Sequence, residues 1–386
     1  VLGIAGAALM PSTLALISNM FRDARECALA IGLWATMFAL GMAAGPMVGG
    51  VLVKHFDWGA AFLVAVPVIA VLLVTAPILL PEYRAPVRGR FDLLSVALSL
   101  AAMLPMIYAV KESARSGVAF APVAALLTGL AFAVLFVRRQ SALVSPLLDL
   151  RLFANGTFSA ALAILLVGLI GVGGAMLLVT QYLQFVVGLP PVTAGLWMGP
   201  PALMMLVAGI AAPLIARRIR AGLVVAGALA LSTAGYGLLA LLAAVPDIGL
   251  VIAGYSLVYL GLGTIAALGT DLVVGAAPPE KAGSASALSE TVQELGLAVG
   301  VATLGSLSVA LYREQIRDRI PANLPETLAR AVEDSLWAAS SVAERLPAGL
   351  IDEARTAFTC GLVVASIVAA IGTAILAILS AMALRR

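Results

Sequence analysis

Residues 41–50 read Gly41-Met-Ala-Ala-Gly45-Pro46-Met-Val-Gly49-Gly50, inside a stretch that stays apolar from roughly residue 27 to residue 53. Gly41, Gly45 and Gly49 recur every fourth residue and leave one helix face without side chains, so a neighbouring backbone can approach closely. Pro46 removes a backbone hydrogen bond and favours a bend. About 20 apolar residues suffice to cross a hydrocarbon core as a helix, so this stretch is a membrane span. Applied outward, the same ruler gives eleven spans, roughly 1–21, 27–53, 59–80, 92–110, 120–137, 156–180, 193–216, 221–243, 249–276, 283–312 and 355–384. The runs are too long for barrel strands and do not alternate, so the expected class is an all-α integral membrane protein.

Composition excludes the other classes. Only 11% of the 386 residues are charged and 62% are hydrophobic, whereas a soluble domain carries about a quarter charged residues. Disorder needs low hydrophobicity and high net charge, and the net charge is +3. Two cysteines and one histidine supply neither a disulfide framework nor a zinc site, so no metal is expected. Cys27 and Cys360 fall near opposite faces and cannot bond. The sequence has no G-x-x-x-x-G-K-[ST] loop for ATP, and its glycine-rich runs lie inside spans rather than after strands.

Arginine and lysine orient the chain. Alternate span ends carry Arg22, Arg25, Arg84, Arg88, Arg90, Arg138, Arg139, Arg151, Arg217, Arg218, Arg220, Lys281, Arg385 and Arg386, against Lys54, Lys111 and Arg115 in the opposite short loops. The richer side is expected to be cytoplasmic, with the C-terminus inside and Val1 outside. Scattered in this way, the basic residues answer to topology and not to nucleic acid. An external start without Met or signal peptide implies a parent protein whose N-terminal part is missing. Between residues 313 and 354 lies the one long loop, where Leu324, Leu328, Val332, Leu336 and Val342 suggest an amphipathic helix on the periplasmic face.

Three acids fall within spans: Asp271, Glu290 and Glu294. A charge at membrane depth costs at least ~2.5–3.5 kcal/mol on insertion scales, which makes such residues functional by default. Glu290 and Glu294 stand one turn apart, with Gln293 and Ser286 on the same side, a polar stripe suited to a cavity. Proximity couples their titrations. One carboxylate that holds either a proton or a cation makes the two ligands compete, so a proton gradient can drive export. Asp271 is a candidate gate partner for Arg217, Arg218 or Lys281. Tyr255 and Tyr259, one turn apart, either line a cation cavity or pack as ordinary core. Asp92 reads as an N-cap, Trp58 and Phe56 as interfacial anchors, and Asn155-Gly-Thr157 as a chance glycosylation match.

The string from Gly41 to Gly50 resembles motif C of major facilitator antiporters. Gly6-Ala-Ala-Leu-Met-Pro11-Ser-Thr-Leu-Ala-Leu-Ile17 and Phe56-Asp-Trp58-Gly-Ala-Ala-Phe62 are similar to its flanking stretches. Pro278-Pro-Glu280-Lys-Ala-Gly283-Ser-Ala-Ser-Ala-Leu-Ser-Glu290-Thr-Val-Gln-Glu294-Leu-Gly296 resembles the penultimate-helix signature of fourteen-helix drug:proton antiporters, nearest to exporters of methyl viologen and quaternary ammonium compounds. The resemblance implies a major facilitator fold holding helices four to fourteen. Residues 1–80 would be the last three helices of the N-terminal half, 81–150 two linking helices, and 151–386 the C-terminal six-helix half. A second copy of motif A survives as Leu214-Ile-Ala216-Arg217-Arg218-Ile-Arg220, with alanine at its acidic position. The implied function is proton-coupled efflux of lipophilic, preferentially cationic drugs across a bacterial inner membrane by a monomer, powered by the proton gradient without a cofactor. A selective exporter of one metabolite or antibiotic, a membrane-embedded enzyme and an inactive fragment are the alternatives.

Overall fold

The computed structural model describes residues 6, 9, 12–14, 16–17, 20–21, 23–56, 59–79, 92–116, 119–143, 146, 148–278 and 281–383, and every regular element among them is helical. Asp57, Trp58, residues 80–91 with Arg84, Arg88 and Arg90, Pro279, Glu280, Arg385 and Arg386 lie outside that set. Among the described residues eight helices are long and apolar enough to cross a membrane, and they coincide with the fourth to eleventh expected spans. The second span is the helix α1 (Ala24–His55). The third is a short turn, Ala60–Leu63, followed by α2 (Ala65–Leu79). Most of the first span lies outside the described residues, although Thr13 accepts a hydrogen bond from the Trp34 indole at 3.1 Å.

Short polar residues start the helices by satisfying free backbone N–H groups. The Asp23 carboxylate accepts from the backbone of Arg25 and Glu26 at the head of α1. Asp92 accepts from the Ser95 N–H at the head of α3 (Leu93–Ser116), the N-cap role expected of it. Its carboxylate also takes two bonds, at 3.1 and 2.9 Å, from Arg139 near the end of α4 (Phe120–Ala142). The ends of α3 and α4 are thus clamped together, and Gln140 extends the clamp by bonding Ser95 and the Leu148 N–H.

The remaining helices form one packed body. They are α5 (Gly156–Gln181), α6 (Pro191–Trp197), α7 (Gly199–Ala216), α8 (Ala221–Ala240), α9 (Ile248–Thr264), α10 (Thr270–Gly275), α11 (Ala282–Arg317), α12 (Glu326–Asp334), α13 (Leu336–Ser341) and α14 (Leu350–Ala383). α5 and α9 each run on into a π-helical turn, Tyr182–Val186 and Ile265–Gly269. The main apolar core lies among α5, α7, α8, α9, α11 and α14.

Without water between helices, packing depends on close contact, and glycine sets it at the central crossing. A Cβ on Gly173 of α5 would stand 2.4 Å from the Leu297 carbonyl oxygen of α11, and one on Gly300 of α11 would stand 2.1 Å from the Ile170 oxygen of α5. Gly235 and Gly254 bring α8 and α9 together in the same way, as Gly263 does for α9 and α7. α1 joins this body through α6 and α7.

α11 has 36 residues, about 54 Å at 1.5 Å per residue, so it contains the tenth expected span and reaches past a ~30 Å hydrocarbon core. The loop that follows is amphipathic, as expected, but does not form one continuous helix. α12 and α13 break at Ser335, whose backbone is extended (φ −169, ψ 159) and whose hydroxyl caps α13. Val332 and Leu336 are buried together with Leu350 and Ala354. Tyr312 donates to the Val332 carbonyl at 2.7 Å, and Arg313 pairs with Asp334 at 2.8 Å. The apolar stripe covers the ends of α11 and α14, so it has a protein surface to bury against.

Gly300→Val is expected to lower stability by about 1–3 kcal/mol or more, because the overpacked side chain meets backbone that cannot step aside. Gly227→Ala, where nothing lies within 4 Å of the new methyl, should be neutral or gain up to about 1 kcal/mol. Thermal unfolding of the detergent-purified variants checks both.

Candidate functional site

α11 carries the carboxylates, and the segment before it is fixed at one end of the bundle. Lys281 pairs with Asp149, which precedes the turn Leu150–Ala154. Asn155 caps α5 through Thr157 and Phe158 and donates its amide to the Ala276 carbonyl at 3.3 Å. The glycosylation match is therefore a structural cap that also latches α5 to the end of α10. Arg217, Arg218 and Arg220, in the turn between α7 and α8, are exposed and form no ion pair among the described residues.

Glu290 is the ninth residue of α11, about 12 Å along the helix from its start, and Glu294 lies about 18 Å along. The two differ in environment. Glu290 is only 5% exposed, whereas Glu294 is exposed. Gln293 donates to the Glu290 carboxylate at 3.2 Å and to the Ser289 carbonyl at 3.3 Å. Ser289 is fully buried and bonds the Ser286 carbonyl, while the buried Ser286 hydroxyl has no partner among the described residues. Ser286, Ser289, Glu290 and Gln293 thus form the inward polar stripe, and Glu294 continues it to an open face. A buried carboxylate whose side-chain partner among the described residues is one neutral amide carries an uncompensated charge when ionised. Protonation or an arriving cation relieves that cost.

Asp271 is the second residue of α10, after the π turn Ile265–Gly269, and lies within electrostatic reach of Cys27 on α1. It forms no ion pair among the described residues. Arg217 and Arg218 do not reach it and Lys281 is taken by Asp149, so the expected gate pair is absent. Thr270, beside it, is completely buried, and its hydroxyl has no partner among the described residues. Tyr255 and Tyr259 are buried in the main core, with ring centroids 4.6 Å apart and hydroxyls bonded at 3.2 Å. Their burial and mutual contact favour the packing reading.

Motif C also behaves differently from expectation. Nothing lies within 4 Å of a Cβ built on Gly41, Gly45 or Gly49. α1 meets its neighbours instead at Gly32, where a Cβ would stand 3.1 Å from the Gly209 oxygen of α7, and at Gly50, where one would stand 3.0 Å from the Val192 nitrogen of α6. α6 and α7 touch α1 towards its two ends, so the middle glycines face no close backbone among the described residues. The helix continues through Pro46, whose side chain lies outside the described set. Gly49 and Gly50 border a cavity of about 330 Å³ with Thr180, Leu183, Gln184, Pro191, Ala194, Gly195 and Met198.

Sequence reasoning missed the Lys281–Asp149 and Arg139–Asp92 pairs, the buried Thr270 and Ser289, and the cavity residues Thr180 and Gln184. The pairs join residues 132 and 47 positions apart, so no local spacing announces them. An acid directly ahead of a helical segment, as at Asp149 and Asp92, was the available signal. Among the described residues no group of His, Cys, Asp and Glu can hold a metal ion.

The family model described as Major Facilitator Superfamily matches residues 1–301. The chain is 41% identical to the multidrug efflux pump LfrA of Mycolicibacterium smegmatis, over 96% of this chain and 74% of that protein. It is 31% identical to the methyl viologen resistance protein SmvA of Salmonella typhimurium, over 92% and 73%. It is 32% identical to the tetracenomycin C resistance and export protein of Streptomyces glaucescens, over 90% and 65%.

The Lys281 ammonium holds the Asp149 carboxyl below its ordinary value, helped by the Arg151 N–H. A carboxyl lowered in the folded state stabilises fully above its unfolded value, near 3.8, and that contribution is lost as pH falls below it. Asp149→Asn should therefore unfold at lower temperature than the parent at pH 7, and the gap should close as the pH is taken towards 3 (about one unit below the free carboxyl value). Paired thermal melts across that range test it.

Proposed function

This chain belongs to the Major Facilitator Superfamily, and from that premise we propose that it exports lipophilic, preferentially cationic drugs in exchange for protons. Membership makes it a multi-pass membrane transporter rather than an enzyme. The observation that carries the proposal is Glu290: a carboxylate almost fully buried in a membrane-spanning helix, bonded to the neutral Gln293. A proton neutralises it at no cost in space. A lipophilic cation neutralises it equally well, and the two cannot do so together. Entry of a proton from one side then expels a cation bound from the other. Exposed Glu294, one turn further, extends the acidic surface towards an open face and adds repulsion that favours having one of the pair neutral.

The relatives named for multidrug efflux and methyl viologen resistance support the cargo class. The arginine-rich end of the bundle reads as cytoplasmic under the positive-inside rule, which puts the C-terminus inside a bacterial inner membrane and α12 and α13 outside. On this reading the carrier works as a monomer driven by the proton gradient alone. A second reading, export of one specific metabolite or antibiotic, is favoured by the relative named for tetracenomycin C.

In proteoliposomes with an imposed pH gradient, the full chain should move methyl viologen or a quaternary ammonium dye. Glu290→Gln should cut gradient-driven transport about tenfold or more, equivalent to ~1.4 kcal/mol or more of lost coupling, while downhill substrate exchange persists. Glu294→Gln should weaken binding of dications more than monocations. Undiminished gradient-driven transport by both variants would sink the proposal, and transport of a single compound out of a broad panel would select the second reading.

A further inference from the structure

The cavity beside Gly49 lies away from the polar stripe of α11 and belongs to a different set of helices. Its volume, about 330 Å³, is at the lower end of the ~300–1,000 Å³ typical of small-molecule pockets. Three separate sequence devices build it. On α1, Gly49 has nothing within 4 Å of its missing Cβ, while Gly50 is closed off by Pro191 and Val192. One glycine opens a floor of bare backbone and the next seals its edge. On α5, the π turn is real by its hydrogen bond, from the Val187 N–H to the Tyr182 oxygen at 3.0 Å. Such a turn widens a helix and re-aims its side chains, and here it sets Leu183 and Gln184 in the wall. The third side is α6 and its end, where Ala194 and Gly195 leave room and Met198 supplies an adaptable thioether.

Among the described residues the lining contains no Asp, Glu, Lys, Arg or His. Thr180 is spent on the Met176 carbonyl at 2.7 Å. The Gln184 amide has no hydrogen-bond partner among the described residues, and it can both donate and accept. The cavity therefore suits an apolar body with one polar substituent and has no means of selecting charge. An acyl chain fits it less well, because it would leave that amide unpaired at a cost.

We propose that this cavity is a second ligand site, which holds the aromatic or aliphatic body of exported compounds and orients one polar substituent on Gln184. Its place in transport rests on the exporter reading, in which it lies in the outer half of the membrane while Glu290 lies in the inner half. A compound displaced from a charge-selective site then meets one that is blind to charge, where binding is weak enough for release. Occupancy of the cavity can be read without transport.

The test is photolabelling of the full chain in nanodiscs with an uncharged aromatic diazirine carrying a hydroxyl, with its hydroxyl-free parent, and with a diazirine phospholipid. Labelling by the hydroxyl probe should map to the Thr180–Met198 segment and be competed by methyl viologen or a quaternary ammonium dye. Gly49→Leu fills the space and should reduce that labelling about tenfold, the scale on which pocket shape discriminates. Gln184→Leu should reduce labelling by the hydroxyl probe but not by its parent, and this decides the matter if Gly49→Leu fails to fold. Glu290→Gln should leave labelling intact while cutting gradient-driven export about tenfold or more. Labelling by the phospholipid alone, or labelling indifferent to both Gly49→Leu and Gln184→Leu, overturns the site while leaving the exporter reading standing. Intact labelling in a chain that moves no substrate overturns the exporter reading and leaves the site.

Discussion

The crossing of α5 and α11 sets the rest of the molecule. Lipid offers helices no hydrophobic reward for associating, so they must earn contact by fit. Gly173 and Gly300 supply it by letting carbonyl oxygens of the opposing helix approach to where a side chain would otherwise stand. Gly296, on the same helix as Gly300, meets the Leu166 carbonyl of α5 and the Leu169 side chain. Because α11 is pinned there, the turn immediately before the contact is held too, and that turn contains Glu290 and Gln293. The carboxylate is kept in the interior because helix packing higher up leaves it no freedom to rotate towards water or lipid.

At the two ends of the bundle charge does the fixing. Lys281 with Asp149 and Arg139 with Asp92 tie loops and helix ends beside the arginine-rich face, and Arg313 with Asp334 ties α12 to α11 at the other. Arg355 donates to the Phe185 carbonyl at 3.1 Å, so α14 is bound to the π turn that closes α5. The exposed Arg313–Asp334 pair contributes little stability by itself, and the other two ion pairs are only part-buried. Their effect is positional: the interior, where charge is costly, is left to Glu290, with Asp271 half-buried.

The sequence disclosed what hydropathy and charge encode. Spans four to eleven needed only apolar runs of sufficient length, and Asp92 needed only its place ahead of one. Glu290 and Glu294 stood out because acids are rare in such runs. Which of the two is buried depended on how α11 crosses α5, a property of facing helices and not of one helix. Motif C shows the same limit: four-residue spacing identifies a bare face, but the position of α6 and α7 decided that Gly32 and Gly50 make the contacts. The tyrosine pair was open to two readings until burial favoured packing. The stripe in residues 324–342 was legible as amphipathic, but not that it packs on Tyr312, Leu350 and Ala354, because a sequence does not say what lies opposite.

The two π turns carry a consequence for how this chain can vary. Each holds one residue more than an α-helical ladder of the same rise requires, and each residue turns a helix by about 100°. Deleting one residue from Ile265–Gly269 would leave the hydropathy profile almost untouched and the helix still long enough to span. It would nevertheless swing Asp271 about a quarter-turn or more from α1, and the equivalent loss in Tyr182–Val186 would carry Gln184 off its wall. In these two helices, residue count is itself a functional character, and an alignment gap there deserves to be weighed as heavily as a substitution of the side chain it re-aims.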